Sequence, residues 1–222
     1  AAHPDDEMLG VGGTIHSLIS NKKAIANALI LSKGIVSRIS DKNDQNLILQ
    51  EKNIIKATSI IGFKKVVTLD FSDNRFDSVD LLDIVLSIEN IIKKFKPDII
   101  FTHHSMDLNI DHRRTHQAVI TATRPVPGKV PISLFSFETP SSTEWQTNDS
   151  DKAFLPNFFI EIGKNDLLAK QKALKAYTTE CKDYPHPRSI KSLEIIAQRW
   201  GINIGVKYAE AFRLVRHITK LK

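Results

Sequence analysis

Apolar and polar positions along the first half of the chain repeat with two different periods. Leu9 to Asn21 carries glycines at its start, with Leu9, Ile15, Leu18 and Ile19 at roughly helical spacing, which predicts a helix. Ala24 to Ser32 is a short apolar run bounded by Lys23 and Gly34, the pattern of a strand buried on both faces. Asp41 to Ile61 returns to helical spacing, with Leu47, Ile48, Ile54, Ile55 and Ile61 on the apolar side and Gly62 as a stop. Lys65 to Leu69 predicts a strand, Ser78 to Phe95 an amphipathic helix ended by Pro97, and Asp98 to Thr102 another buried strand. His112 to Thr123 predicts a helix that Arg124-Pro125 closes.

Alternation of strand and helix over this length predicts βαβ units. The expected fold is α/β, a Rossmann-like three-layer sandwich with a mostly parallel sheet. Ligands of such sheets bind beyond the carboxyl ends of the strands. The polar clusters Ser32 to Gly34, Asp70 to Asp73 and His103 to His112 each follow a predicted strand, so they are expected to meet in one crevice. After Pro125 the texture changes. Ile132 to Phe137 and Phe158 to Ile162 predict strands around a polar loop from Glu138 to Pro156. Lys164 to Tyr177 and Ile190 to Trp200 predict helices, and Tyr208 to Arg216 completes the pattern. No repeat or linker divides the chain, so residues 1–222 are read as one domain.

Composition narrows the class. At 222 residues, with 41% hydrophobic and 25% charged positions, the chain is an ordinary globular one and not a disordered, collagen-like or coiled-coil one. Its longest uncharged apolar stretch, Ala24 to Ser32, is too short to cross a bilayer. The single cysteine, Cys181, excludes a disulfide framework and fits a reducing, cytoplasmic compartment. The net charge of +6 is scattered, with basic clusters no longer than pairs such as Lys22-Lys23, Lys64-Lys65 and Lys93-Lys94, so no nucleic-acid partner is expected. A homo-oligomer is compatible with such a chain.

The chemistry concentrates in two clusters. His3-Pro4-Asp5-Asp6-Glu7 sets one imidazole beside three carboxylates, a costly repulsion unless a cation or solvent offsets it. Its nitrogen and oxygen donors suit zinc or another divalent metal. The alternative is a solvated acidic turn in which Asp5 or Asp6 caps the next helix. Spacing alone leaves both open. The second cluster, Thr102 to His112, holds three histidines and two aspartates directly after a strand. Two ligands from the first cluster and one from the second would make a catalytic zinc site with an open position. Within the second cluster His103 and His104 are read as loop residues bonded to backbone. His116 can face solvent or core, and His16 and His217 are read as structural.

The opening AHPDDEMLGVGGTI resembles the signature of the PIG-L/LmbE-like zinc-dependent de-N-acetylases, which remove N-acetyl groups from amino-sugar conjugates. DLNIDHRRTHQAV is similar to the family's second metal motif, and PHPRS at 185–189 and YAEAF at 208–212 resemble motifs of a bacterial branch. The resemblance implies a hydrolase that uses zinc held by His3, Asp6 and His112, with Asp5 as general base and a small amino-sugar conjugate as substrate. Many relatives carry HPDH where this chain has Asn109-Ile110-Asp111-His112. Asn109 can donate a hydrogen bond but cannot shuttle a proton. His186 in PHPRS is the replacement candidate, or else a loop histidine between two prolines. Asp111 is expected to orient a neighbouring imidazole or loop. Arg38, Asp73, Asn74, Glu144, Trp145 and Arg188 are candidates for binding the sugar and its aglycone. Trp145 would stack on a pyranose or anchor its own loop. Arg188 would pair with an anionic substrate group or with Glu180 or Asp183. Relatives also carry an apolar strand before the motif, which is expected to precede Ala1. Two rival activities stay open: hydrolysis of a non-acetyl amide, and a non-catalytic sugar- or metal-binding protein on the same fold.

Overall fold

The computed structural model describes residues 1–34, 44–126, 131–147 and 151–219. In chain order the elements are α1 (Asp6–Ser20), β1 (Asn27–Ile30), α2 (Asp44–Ile61), β2 (Lys65–Thr68), α3 (Leu81–Phe95), β3 (Ile99–His103), α4 (Ile110–Ala122), β4 (Ser133–Phe137), β5 (Phe158–Glu161), α5 (Lys164–Ala176), α6 (Ile190–Ile204) and β6 (Ala209–His217). Short 3₁₀ turns cover Phe76–Ser78 and Thr143–Trp145.

The strands pair as β1-β2 and as β3-β4-β6-β5. β1 pairs with β2 and β3 with β4 in parallel, so the sheet expected to be mostly parallel is parallel in two of its four described pairings. The β4-β6 and β6-β5 pairs are antiparallel. Ala1 and Ala2 lie between the two groups: Leu31 and Ser32 donate backbone bonds to their carbonyls at 3.0 and 2.9 Å, and the Ala2 amide donates to His103 Nε2 at 2.9 Å. This position sets the His3-to-Glu7 motif at the carboxyl ends of β1 and β3.

Helices cover both faces, so the chain forms the expected three layers. One core joins Met8, Val11 and Ile15 of α1, Ile54 and Ile61 of α2 and Ala169 and Ala173 of α5 to Phe135, Phe137 and Phe212 of the sheet. The other joins Ile84, Val85 and Ile88 of α3 and Ala118 and Val119 of α4 to Leu31, Phe76 and Leu134. Burial of such side chains, at roughly 25 cal/mol per Å² of apolar surface, holds the layers together.

The glycines of α1 have a packing cause at Gly10. A Cβ added there would meet the Phe137 ring at 2.2 Å, so only glycine lets α1 lie this close to β4. Gly10→Ala is expected to lower stability by about 1 to 3 kcal/mol through overpacking, read as a fall in Tm of roughly 5 °C. An unchanged Tm would show that α1 can move away from the sheet at no cost.

Candidate metal and catalytic centre

The motif that opens the chain is not a solvated turn. Asp5 and Asp6 are 1% and 0% exposed. Asp5 is the N-cap residue of α1, yet its carboxylate caps nothing, and its backbone has φ 105°, in the left-handed region. That conformation is sparsely populated for a residue with a Cβ and clusters at functional sites. The carboxylate instead meets Arg188, whose Nη1 lies 2.9 Å from Oδ2. Burial pushes the Asp5 carboxyl well above the usual carboxylate range, against the opposing charge of Arg188.

Asp6 begins the helix and faces the imidazoles. Its Oδ2 accepts the His3 backbone N–H at 2.8 Å. The same oxygen lies 3.3 Å from His3 Nδ1, 3.3 Å from His112 Nε2 and 3.4 Å from His103 Nε2. Burial opposes ionisation of Asp6, but the His112 and His103 rings hold its carboxyl well below the usual range. Ligand atoms of His3, Asp6 and His112 all lie within 4.8 Å of one another.

The far nitrogen of each ligand-type ring is held by a carboxylate. Asp107 Oδ1 lies 3.0 Å from His112 Nδ1, and Asp111 Oδ2 lies 2.9 Å from His3 Nε2. A carboxylate partner needs the proton on that nitrogen, which leaves the lone pair of the near nitrogen turned toward Asp6. His112 Nε2 and Asp6 Oδ1 are buried and make no hydrogen bond among the described residues. Buried polar atoms are rarely left so. Burial lowers the pKa of His112, yet Asp6 and Asp107 draw it up to about 8. The pocket therefore attracts positive charge, and two nitrogens and a carboxylate are donors that fit a divalent cation.

Asp111 is buried and fully used. Besides His3 it accepts the Asn74 and Phe76 amides at 2.6 and 2.9 Å, which ties the loop after β2 to the site. Asp73 of that loop reaches His3 Nε2 at 3.1 Å. Asn109 is the N-cap of α4: its Oδ1 accepts the Asp111 amide at 2.8 Å and its Nδ2 donates to Asn74 Oδ1 at 3.2 Å. Arg188 donates to Ser141 Oγ at 2.6 Å and to Glu180 at 2.8 Å as well as to Asp5. Glu144 accepts the Ser141 and Ser142 amides and so closes its own turn. His186 and Trp145 form an edge-to-face pair 5.7 Å apart, linked to the network through the Arg188 backbone N–H, which donates to His186 Nδ1 at 3.1 Å. Trp145 is 54% exposed. Arg38 lies outside the described residues.

Several partners have no local signal in the sequence. Asp107 accepts from Ser142 and Thr143 hydroxyls as well as holding His112, so it joins the second motif to the 138–147 loop. His103 stacks on His112 with ring centroids 4.0 Å apart. It stands at the end of β3, bonded to Ala2 and to Thr139 Oγ1. Burial and the charge of His112 push its pKa well below the usual value, so it is a neutral platform. His104 and His116 bond backbone carbonyls of Lys152 and His103. His16 pairs with Asp166 and His217 with Ser133. Asp107 stands in the histidine-rich cluster, but only the turn from His104 to Asn109 brings it to His112.

The relatives share this architecture. Diacetylchitobiose deacetylase from Thermococcus kodakarensis is 24% identical over 220 residues, covering 96% of this chain and 80% of that protein. The conserved protein TT1542 from Thermus thermophilus has a TM-score of 0.77 at 22% identity, over 100% of this chain and 94% of that one. N,N′-diacetylchitobiose deacetylase from Pyrococcus horikoshii has a TM-score of 0.74 at 21% identity, over 99% and 85%. The PIG-L family, described as GlcNAc-PI de-N-acetylase, matches residues 1–123, more than half of the chain and the segment that carries His3, Asp5, Asp6, Asp111 and His112. The chain therefore belongs to the PIG-L family.

Proposed function

We propose that the chain is a zinc-dependent hydrolase that removes the N-acetyl group of an amino-sugar conjugate. The observation that carries this reading is the pair of buried ligand atoms, Asp6 Oδ1 and His112 Nε2, that make no hydrogen bond among the described residues, beside a buried carboxylate, Asp5, that caps no helix. Zinc would be held by His3 Nδ1, the Asp6 carboxylate and His112 Nε2. The chemistry such a cation supplies is Lewis acidity, which polarises an acyl oxygen and acidifies water at neutral pH.

The remaining work falls to the protein. Asp5 takes the proton of the attacking water. Its burial keeps the carboxyl basic enough for that, while Arg188 holds Oδ2 at 2.9 Å. Asn109 is used as a helix cap, which favours His186 as the second donor to the developing oxyanion. With Nδ1 accepting from Arg188, neutral His186 carries its proton on Nε2 and can donate it. Asp5 then returns the proton it took to the leaving amine, while neutral His186 donates a hydrogen bond only, because loss of its Nε2 proton would leave an imidazolate. Asp111 holds His3 and the Asn74 loop in place. For the sugar, exposed Trp145 offers a ring face, Asp73 and Asn74 line the rim, and Arg188 reaches both Asp5 and the 138–147 turn. Arg38 and Glu144 complete the candidate set. Residues 1–222 act here as one deacetylase domain, because the ligands come from its first half and Arg188 and His186 from its second.

Asp107→Asn is expected to weaken zinc binding by about 10- to 100-fold, because it loosens the orientation of His112. Competition with a chromogenic chelator measures this, and unchanged affinity would remove Asp107 from the metal site. The activity itself is tested on a panel of glucosamine conjugates carrying N-acetyl, N-propionyl and longer acyl groups. Release of acetate is the expected result. Turnover of the longer acyl amides alone would replace this reading with an amidase, and zinc binding without turnover would replace it with a binding protein.

A further inference from the structure

Three carboxylates stand in a row at the start of α1, and the mechanism above uses two. The third, Glu7, is 5% exposed. Its Oε2 accepts the backbone N–H of Asp5 at 3.1 Å, and its Oε1 accepts the hydroxyl of Tyr177. Tyr177 is 0% exposed, caps the end of α5 and belongs to the main core, so its hydroxyl is a fixed point 170 residues away in sequence. The amide that Glu7 holds belongs to the residue with φ 105°. A left-handed backbone persists at a residue with a Cβ only where the surroundings over-determine it. At Asp5 two grips do so: Glu7 on the backbone and Arg188 on the carboxylate.

We infer that Glu7, anchored by Tyr177, is a positioning residue that locks the backbone of Asp5 and thereby aims its carboxylate into the site. The inference rests on the proposed role of Asp5 as general base. Glu7 acts by geometry and not by carrying a proton. A glutamine can do the same job: its oxygen accepts from the Asp5 N–H while its Nε2 donates to the Tyr177 oxygen. Alanine removes both bonds, and Tyr177→Phe removes the anchor alone.

The test compares zinc-loaded Glu7→Gln, Glu7→Ala and Tyr177→Phe, each by kinetics and by crystal structure. Displacing a reacting group by about 1 Å can cost roughly 10²-fold. Glu7→Ala is therefore expected to lower kcat by about 10²-fold and Tyr177→Phe by about 10-fold, with KM unchanged, while Glu7→Gln stays within about threefold of the parent. In an Asp5→Asn background the Tyr177→Phe loss should shrink toward none, because the two residues act as one unit. The structures should show Asp5 leaving the left-handed region and its carboxylate moving on Arg188. Should Glu7→Ala not fold, Tyr177→Phe, which deletes one hydroxyl, carries both arms. Asp5 unmoved in the folded variants overturns the inference whatever their activity. Glu7→Gln as inactive as Glu7→Ala also overturns it, since Glu7 would then work through its charge. Absence of amide hydrolysis in the parent protein would end the proposed function, and the structural arm would still decide the role of Glu7.

Discussion

Asp5→Asn is expected to lower kcat by about 10²- to 10⁴-fold, the usual effect of removing a general base. Asparagine is nearly isosteric, tolerates the left-handed backbone that Asp5 adopts, and can still accept from Arg188 through its amide oxygen. The fold and the metal content should therefore survive. Proton transfer belongs to the transition state, so the loss should appear equally in kcat and in kcat/KM. Asp6→Asn should behave differently. Its carboxylate faces His3 and His112, and weakening it lowers metal affinity, so excess zinc should restore part of the activity. A zinc titration of both variants separates the two roles. Rescue of Asp5→Asn together with failure to rescue Asp6→Asn would mean the two aspartates are reversed.

His112→Ala is expected to strip the metal. The change deletes the buried Nε2, which makes no hydrogen bond among the described residues, and also leaves Asp6 and Asp107 without the ring that lies between them. Loss of a direct ligand should exceed the roughly 10- to 100-fold weakening expected at Asp107, and activity should fall with occupancy. Loss of a metal that binds only the folded chain lowers stability, and Asp6 and Asp107 lose a buried partner, so the variant should melt below the parent protein. Elemental analysis after dialysis reads the first effect and calorimetry the second. Full metal occupancy in His112→Ala would contradict the assignment of the ligand set.

Elements with strong local periodicity are legible in the sequence. The helix expected over Asp41 to Ile61 ends at Ile61 as Gly62 requires, and the strand expected over Lys65 to Leu69 is β2. Ends hidden by chemistry were less so. The helix expected from Leu9 starts at Asp6, because the polar motif already forms its first turn. The helix expected from Ser78 starts at Leu81, with a 3₁₀ turn before it that serves the Asp111 contacts. Strand direction after Pro125 depends on partners distant in sequence, so the antiparallel β4-β6-β5 half was not readable from local pattern. The same distance hid the supports of the site. Ligand-type residues cluster in two short motifs, whereas Tyr177 meets Glu7, and Arg188 meets Asp5, only through the packing of α5 and of the segment before α6 against α1.

The proposed activity is tested most directly by product stoichiometry. Purified protein is incubated with an N-acetylglucosamine conjugate, and acetate and free amine are quantified before chelation, after chelation and after zinc is returned. The expected result is acetate and amine in equal amounts, lost with the chelator and restored by zinc. Equal amounts that persist through complete removal of the metal, or no release from this or any other N-acetylated amino sugar by zinc-loaded protein, would contradict it.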